Sequence, residues 1–329
     1  MSGFQGKNIL ITGGLGFLGS NLALKLVDLG AQVTLLDAMI PRCGGNLFNI
    51  SPARNKLAVN FADVRDATVM DYLVRDRDFI FHLAAQVSRV RSLRDPLPDI
   101  DINIKGTAVL LEACKEHNPK AVIVRTGARG QHGPAVSLPV REDAPLAPNG
   151  IHDICQQSAE EMTRVYHDIH GLRSVNLRLT SIYGPRAQMQ SPDHGVVNWF
   201  VRQAIDHRPI QVFGNGLIKR DFVYVDDCTA ALLAVASREN CYGQVSNVGH
   251  SAPSTFLALA KLLGRLEKGS TWEFAPFPPE RAAQEPADFY ANISKIQASA
   301  GWRPKVSLED GLKRTLAFYS LHKSRYWQD

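Results

Sequence analysis

The chain has 329 residues, 45% of them hydrophobic, which is enough apolar material for one large or two moderate domains and excludes disordered and fibrous classes. Its 37 Lys and Arg against 32 Asp and Glu give a net charge of +5, spread so evenly that the densest cluster is RVRSLR (89–94); this argues against a nucleic-acid partner and suits an anionic small molecule. Five cysteines stand far apart, with no CxxC pair and no histidine at ligand spacing, so free thiols are expected, with neither a disulfide framework nor a metal site.

From the N-terminus, MSGFQGKNILITGG runs straight into a short strand, KNILIT (7–12), without a signal-peptide apolar region, and no later apolar run approaches the roughly 18 residues of a membrane span. A cytoplasmic location with no membrane partner is therefore expected. TGGLGFLG (12–19) follows the strand directly and places Gly13, Gly16 and Gly19 before a helical pattern, GSNLALKLVDLG (19–30), that ends on a C-cap glycine. Glycines in such a turn let backbone approach a pyrophosphate, while the helix N-terminus offers free N–H groups and the positive end of its dipole. The next strand, QVTLLD (32–37), ends on Asp37, an acid placed to accept hydrogen bonds from an adenosine ribose; its charge would repel a 2′-phosphate, which favours NAD(H) over NADP(H). KLAVNFAD (56–63), DFIFHLAA (78–85), KAVIVRTG (120–127) and SVNLRLTS (174–181) continue the strand–helix alternation. Right-handed crossovers then give an α/β fold, a doubly wound parallel sheet of Rossmann type. Asp63 is placed either to meet an adenine amino group or to cap the following helix.

Past residue 181 Gly and Pro become frequent and helices shorten, which predicts a second, smaller substrate-binding lobe. RDFVYVDD (220–227) and the helical CTAALLAVASR return to the first lobe. The expected division is a NAD-binding domain at 1–181 with 220–248, and a substrate lobe at 182–219 and 249–329. Asp221, Asp226 and Asp227 read as helix caps and ion-pair partners rather than metal ligands.

TGGLGFLG with Asp37, ADVRD (62–66), HLAAQ (82–86), YGPR (183–186), GNGLIKRDFVYVDD (214–227) and ANISKIQASAGWRP (291–304), in that order, resemble the extended short-chain dehydrogenase/reductase family in its nucleotide-sugar epimerase and dehydratase branch, typified by UDP-glucose 4-epimerase. The resemblance spans nearly the whole chain. It implies NAD held by Gly13, Gly16, Phe17, Leu18, Gly19, Asp37, Asp63, Val64, Leu83, Ala84, Ala85 and Gln156, and a nucleoside-diphosphate sugar between the lobes. By the same resemblance Arg220 and Arg281 contact the diphosphate, Ser181 stands where the family often has asparagine, and helices at about 99–117 and 152–169 pair two subunits into a homodimer.

At the catalytic positions the chain departs from the family. Where Tyr-x-x-x-Lys is expected, GIHDICQQSAEE (150–161) has His152 and Gln156; Glu160, Tyr166 and HGL (170–172) fix that register. RTGARGQHG (125–133) has Ala128 at the Ser/Thr position and His132 where the motif's tyrosine falls, with Thr126 two residues early. The chain's Tyr-x-x-x-Lys, YSLHK (319–323), is read as a decoy. A phenol with a pKa of about 10 is a poor base without a cation, whereas an imidazole near 6.5 is competent alone. Two functions follow. Either His152 is the base, with Gln156 on the ribose and Thr126 or Arg129 orienting the sugar, or the chain is a non-catalytic relative that binds NAD or a nucleotide sugar as a sensor or partner subunit. Arg125, Arg129, His132 and His152 fall near the C-terminal edge of the sheet, where they could bind an acidic sugar or replace the missing lysine charge; for Arg125 and His132 the reading as solvated loop residues is preferred.

Overall fold

The computed structural model describes residues 2–282 and 287–328. In chain order its strands are β1 (Asn8–Thr12), β2 (Gln32–Leu36), β3 (Leu57–Asn60), β4 (Phe79–His82), β5 (Val122–Ala128), β6 (Arg173–Leu179), β7 (Ser181–Tyr183), β8 (Ile210–Phe213), β9 (Lys219–Arg220), β10 (Phe222–Tyr224), β11 (Val245–Val248), β12 (Ser254–Thr255) and β13 (Trp272–Ala275). Its helices are α1 (Phe17–Asp28), α2 (Ala67–Leu73), α3 (Arg89–Arg94), α4 (Leu97–Asp99), α5 (Gly106–His117), α6 (Ile151–His170), α7 (Val196–Ile205), α8 (Val225–Ala236), α9 (Phe256–Leu266), α10 (Pro279–Ala282), α11 (Ser294–Ala300) and α12 (Leu308–His322). A π-helical turn, Ile100–Lys105, joins α4 to α5.

Five Val-, Ile- and Leu-rich strands of the first half, with β6 and β11 from the second, form a seven-stranded sheet in the order β11-β6-β5-β4-β1-β2-β3, every pair parallel. Strands this apolar need cover on both faces. One cluster, around Leu22, Leu26, Val124, Leu177 and Leu232, packs α1 and α8 against one side; another, around Met70, Ile80, Leu110, Cys114 and Ile123, packs α2 and α5 on the other. This is the expected doubly wound fold. A third cluster, built on Phe200, Val201, Ile210, Leu259, Leu263 and Tyr319, forms the core of the part built from α7, α9, α12 and the short sheets.

Two segments cross the expected boundary. Phe222, Tyr224 and Val225 join the third cluster, because β10 pairs with β7 in a separate two-stranded sheet before α8 and β11 rejoin the first lobe. Ile293, Ile296, Ala300 and Trp302 pack on the first lobe's core, so α11 covers the β11 edge of the main sheet.

The position of α6 is fixed by charge. Glu160 is buried and accepts from Arg178 Nη2 (2.6 Å) and Nε (3.0 Å) on β6, and from Gln131 Nε2 (2.8 Å) in the turn Arg129–His132. Arg178 also donates to the Glu142 carbonyl (3.0 Å) and meets His132 Nε2 at 3.2 Å. Burial, and then the Arg178 charge, bring the His132 pKa down to about 4, so its ring is neutral and can accept. The reading of His132 as a solvated loop residue is thereby corrected: it is 2% exposed inside this network. Removing one member of a buried ion pair leaves the other uncompensated. Glu160→Ala should therefore lose about 3–5 kcal/mol of stability in urea unfolding, whereas a loss below about 1 kcal/mol would show that the network does not hold α6.

Candidate functional site

The carboxyl ends of β1, β4, β5 and β6 open into one cavity of about 480 Å³, on the side of the sheet where the strand order reverses between β1 and β4. Every residue singled out in the sequence for a cofactor, catalytic or substrate role lies on its wall: Gly13, Gly16, Phe17, Leu18, Gly19, Asp37, Asp63, Val64, Leu83, Ala84, Ala85, Thr126, Arg129, His152, Gln156, Ser181, Arg220 and Arg281. The wall also includes Arg89, Asp153 and His194, which the sequence did not flag.

At one end the glycine loop leaves no room for side chains. Gly13 has φ +67, and a Cβ there would sit 2.8 Å from Ala84 N and Leu83 O; at Gly19 it would sit 2.2 Å from Gly13 O. Gly16 is the N-cap of α1 and makes no side-chain cap bond, so the first N–H groups of the helix face the cavity without a capping group. This cradle fits a pyrophosphate. Asp37 closes the same end: its Oδ2 accepts from Leu15 N (2.9 Å) and its Oδ1 from Met39 N (2.9 Å), while burial raises its pKa against those two bonds. Asp63 is held by Arg65 through Nε (2.9 Å) and Nη2 (2.7 Å), which lowers its pKa. The cap of α2 is Asp66 rather than Asp63.

Beneath the cavity floor, His82 bridges Thr12 Oγ1 (2.9 Å) and Thr107 Oγ1 (3.0 Å). Burial, then Arg125, push its pKa down to about 3, so it is neutral. Thr107 donates to Asn103 O (2.6 Å), so it accepts from His82 Nε2; Thr12 then donates to Nδ1 and accepts from Leu83 N (3.2 Å) and Ala84 N (3.1 Å). One proton chain thus sets the β4 end that walls the cavity.

On the opposite wall, α6 presents His152 and Gln156 from successive turns, both buried. Arg125 reaches across from β5, donating through Nη2 to Gln156 Oε1 (2.6 Å) and to the Gln156 carbonyl (3.2 Å). Arg125 is 3% exposed and burial lowers its pKa to about 10, which keeps it cationic at neutral pH; the solvated-loop reading of this residue is corrected. Gln156 Oε1 is therefore the acceptor, and its Nε2 hydrogens remain to donate. His152 Nδ1 lies 3.3 Å from Oδ1 of Asp99, which is fully buried in α4. Asp99 in turn accepts from Gln86 Nε2 (2.7 Å) and Asn103 Nδ2. Asn103 also pairs with both backbone groups of Gln86, donating to its carbonyl and accepting from its N–H, each at 3.0 Å. Next to His152, Asp153 accepts from Arg89 Nε (3.0 Å) and Nη2 (2.7 Å). The Asp99–Gln86–Asn103 group escaped the sequence reading because the fold brings Gln86, in the loop after β4, onto the helical run that carries Asp99 and Asn103.

At the far end, Arg281 donates to Pro192 O (3.0 Å) and Asp193 Oδ1 (3.3 Å). Arg220 is 1% exposed and gives Nη1 to the carbonyls of Lys219 (2.8 Å) and Ala287 (2.7 Å). Arg129 lies over the Phe289 ring at 5.3 Å. The three aspartates do not cap α8, which has no side-chain cap bond: Asp227 Oδ2 accepts from Lys305 N (2.9 Å) and Val306 N (2.8 Å), Asp226 faces Arg314, and Asp221 Oδ2 accepts from His250 N and Ala291 N. No metal-binding group occurs among the described residues. In the segment YSLHK, the Tyr319 hydroxyl is buried in the third cluster, where it accepts from Ala187 N (2.7 Å).

The chain matches the model of a family described as "NAD dependent epimerase/dehydratase family" over residues 9–249. It is 29% identical to a putative UDP-glucose 4-epimerase of Methanocaldococcus jannaschii, over 94% of this chain and 97% of that one. It is 30% identical to a dTDP-glucose 4,6-dehydratase of Streptomyces griseus, over 98% and 96%. Among solved structures, UDP-glucuronic acid 4-epimerase from Bacillus cereus, in complex with UDP-glucuronic acid and NAD, superposes with a TM-score of 0.86 at 29% identity, covering 96% of this chain and 99% of that one.

Burial raises the Asp221 pKa to about 6, from 3.8. The folded state thus binds this proton more tightly than the unfolded state, and the resulting stability is present below pH 3.8 and lost as pH rises through 6. Relative to Asp221→Asn, the wild type should therefore lose up to about 3 kcal/mol of unfolding free energy between pH 4 and 7. Parallel stability–pH curves for the two proteins would refute this.

Proposed function

Because the chain belongs to the NAD-dependent epimerase/dehydratase family, we propose that it acts on a nucleoside-diphosphate sugar through transient oxidation at C4, with His152 in place of the tyrosine base. The observation that carries the reading is His152 on the wall of the same cavity that the glycine loop and Asp37 close, with Gln156 one turn on. The glycine loop and Asp37 would hold NAD, which would supply a reversible hydride acceptor for C4. The open N–H groups of α1 would hold its pyrophosphate, and Asp37 its adenosine ribose.

His152 would take the proton of the C4 hydroxyl, leaving a carbonyl, and give it back in the second half of the reaction. Gln156 would donate Nε2–H to the nicotinamide ribose, the same hydrogen-bond polarity that lysine supplies. The cation that lysine would have carried stands directly behind it as Arg125, within a hydrogen bond of its amide. Thr126 and Arg129 would orient the sugar, and Ser181, Arg220 and Arg281 would line the nucleotide end. The carbonyl bonds of Arg220 and the Asp193 contact of Arg281 would have to yield, or be shared, for either to reach a diphosphate.

Ala128, with no hydroxyl at the edge of the cavity, favours a second reading, a non-catalytic relative that binds NAD or a nucleotide sugar. The two separate cleanly. Adding UDP-glucose, dTDP-glucose or UDP-glucuronic acid to NAD-loaded protein should raise the absorbance of reduced NAD, and His152→Phe should abolish the rise. A fully active His152→Phe protein would exclude the histidine as base; raised melting temperature with every ligand and turnover with none would support the second reading.

A homodimer through α5 and α6 is part of the same proposal. Ile154, Val165 and Ile169 share one exposed stripe of α6, beside exposed Leu97 and Ile100. Exposed apolar side chains on α6 and on the segment leading into α5 would suit an association surface. Sedimentation should show a dimer that Ile154→Arg with Ile169→Arg turns into a monomer; a monomeric wild type would remove the claim.

A further inference from the structure

We propose that Asp99 is the positioning residue of the His152 base, holding Nδ1 protonated so that Nε2 faces the cavity as the proton acceptor. The inference rests on the reading of His152 as the base and adds a residue to it.

Three observations carry it. First, the carboxylate is fully buried and outside the cavity wall, and His152 Nδ1 lies 3.3 Å from it. The ring therefore turns its Nδ1 edge away from the cavity, and its other nitrogen is left for a ligand. Second, an ionised Asp99 can only accept there. Its Oδ2 takes a hydrogen from Gln86 Nε2, whose identity is fixed because Gln86 Oε1 accepts from Ser88 N (2.6 Å); its Oδ1 takes one from Asn103 Nδ2, fixed because Asn103 Oδ1 accepts from Gln86 N. With two fixed amide donors on it, the carboxylate presents a lone pair to His152, which must answer with Nδ1–H. Third, Asp99 and Asn103 sit on either side of the junction between α4 and the π-helical turn, and both bond to Gln86 in the loop after β4. The carboxylate cannot rotate away without breaking that loop's anchoring.

The consequence for a proton transfer is balanced. The hydroxyl O–H bond breaks as Nε2–H forms, the imidazole becomes imidazolium, and the Asp99 carboxylate beside Nδ1–H offsets the new charge without accepting the proton. Lysine's part in a tyrosine site is to stabilise an anion; a histidine site needs an anion to stabilise a cation. Asp99 supplies the sign of charge that the new base requires.

The test is nitrogen-15 NMR of histidine-labelled, NAD-loaded protein, with the His152 signals assigned by their absence from His152→Phe. The wild type should show Nδ1 protonated and Nε2 unprotonated. In Asp99→Asn one of the two accepting oxygens becomes a donor, so the fixed tautomer should be lost or reversed, and turnover of whichever of the three sugar nucleotides is active should fall on the order of 100-fold, with KM and NAD affinity within about twofold. An Nε2–H tautomer in the wild type overturns the proposal by itself, and decides the question even if Asp99→Asn does not fold. An unchanged tautomer in Asp99→Asn, or a loss confined to folding and NAD affinity, also overturns it and leaves Asp99 as a structural acid. A fully active His152→Phe protein fails the base reading and this proposal together; an inactive His152→Phe beside a fully active Asp99→Asn fails this proposal alone.

Discussion

The structure depends on the fact that the buried face of α6 is polar. His152, Asp153, Gln156, Glu160 and Thr163 all lie inside, where each unpaired group would cost a desolvation penalty larger than the gain from an ordinary hydrogen bond. An apolar helix face tolerates sliding and small rotations, whereas this one does not. Asp99 answers His152, Arg89 answers Asp153, Arg125 answers Gln156, and Arg178 with Gln131 answers Glu160. Each pairing constrains both the axial position and the rotation of the helix, and the four act together. Polar pairing, more than packing area, sets where the cavity's chemical wall stands.

The cavity itself follows from topology. Where β1 and β4 lie side by side, their crossovers leave in opposite directions along the sheet, and a crevice opens at their carboxyl ends. Thr12, the last residue of β1, and His82, the last of β4, are tied through one hydrogen-bond chain to Thr107 on α5, so the crevice floor is rigid before any ligand arrives. The glycine loop then admits backbone within contact distance at Gly13 and Gly19, positions where a methyl group would collide with main-chain atoms.

Much of this was legible in the sequence, for identifiable reasons. Parallel strands buried on both faces are apolar throughout, so six of the seven main strands stood out, and the glycine turn betrayed both its strand and its helix. The His152 and Gln156 positions could be found because their register is internal to one helix. Arg125 and His132 were misread because a charged residue next to a glycine-rich stretch looks solvated; their burial depends on Gln156 and Arg178, partners supplied by other elements. Asp226 and Asp227 at the start of a helix suggested capping, yet Asp227 instead anchors the backbone at Lys305 and Val306, distant in sequence. Asp99 carried no signal at all, since it stands between Asp95 and Asp101 with nothing to single it out and only the fold brings it to His152.

The pairing of Arg125 with Gln156 and of Asp99 with His152 has a consequence for how such a site can be altered. A tyrosine placed at position 152 would set a phenol against a buried carboxylate, which favours the protonated phenol and leaves little phenolate. A lysine placed at 156 would press a second cation onto Arg125, whose burial already disfavours its charge. A side chain changed at 152 or at 156 alone thus meets a buried partner chosen for another group, and a designer altering this wall would have to treat positions 99, 125, 152 and 156 together.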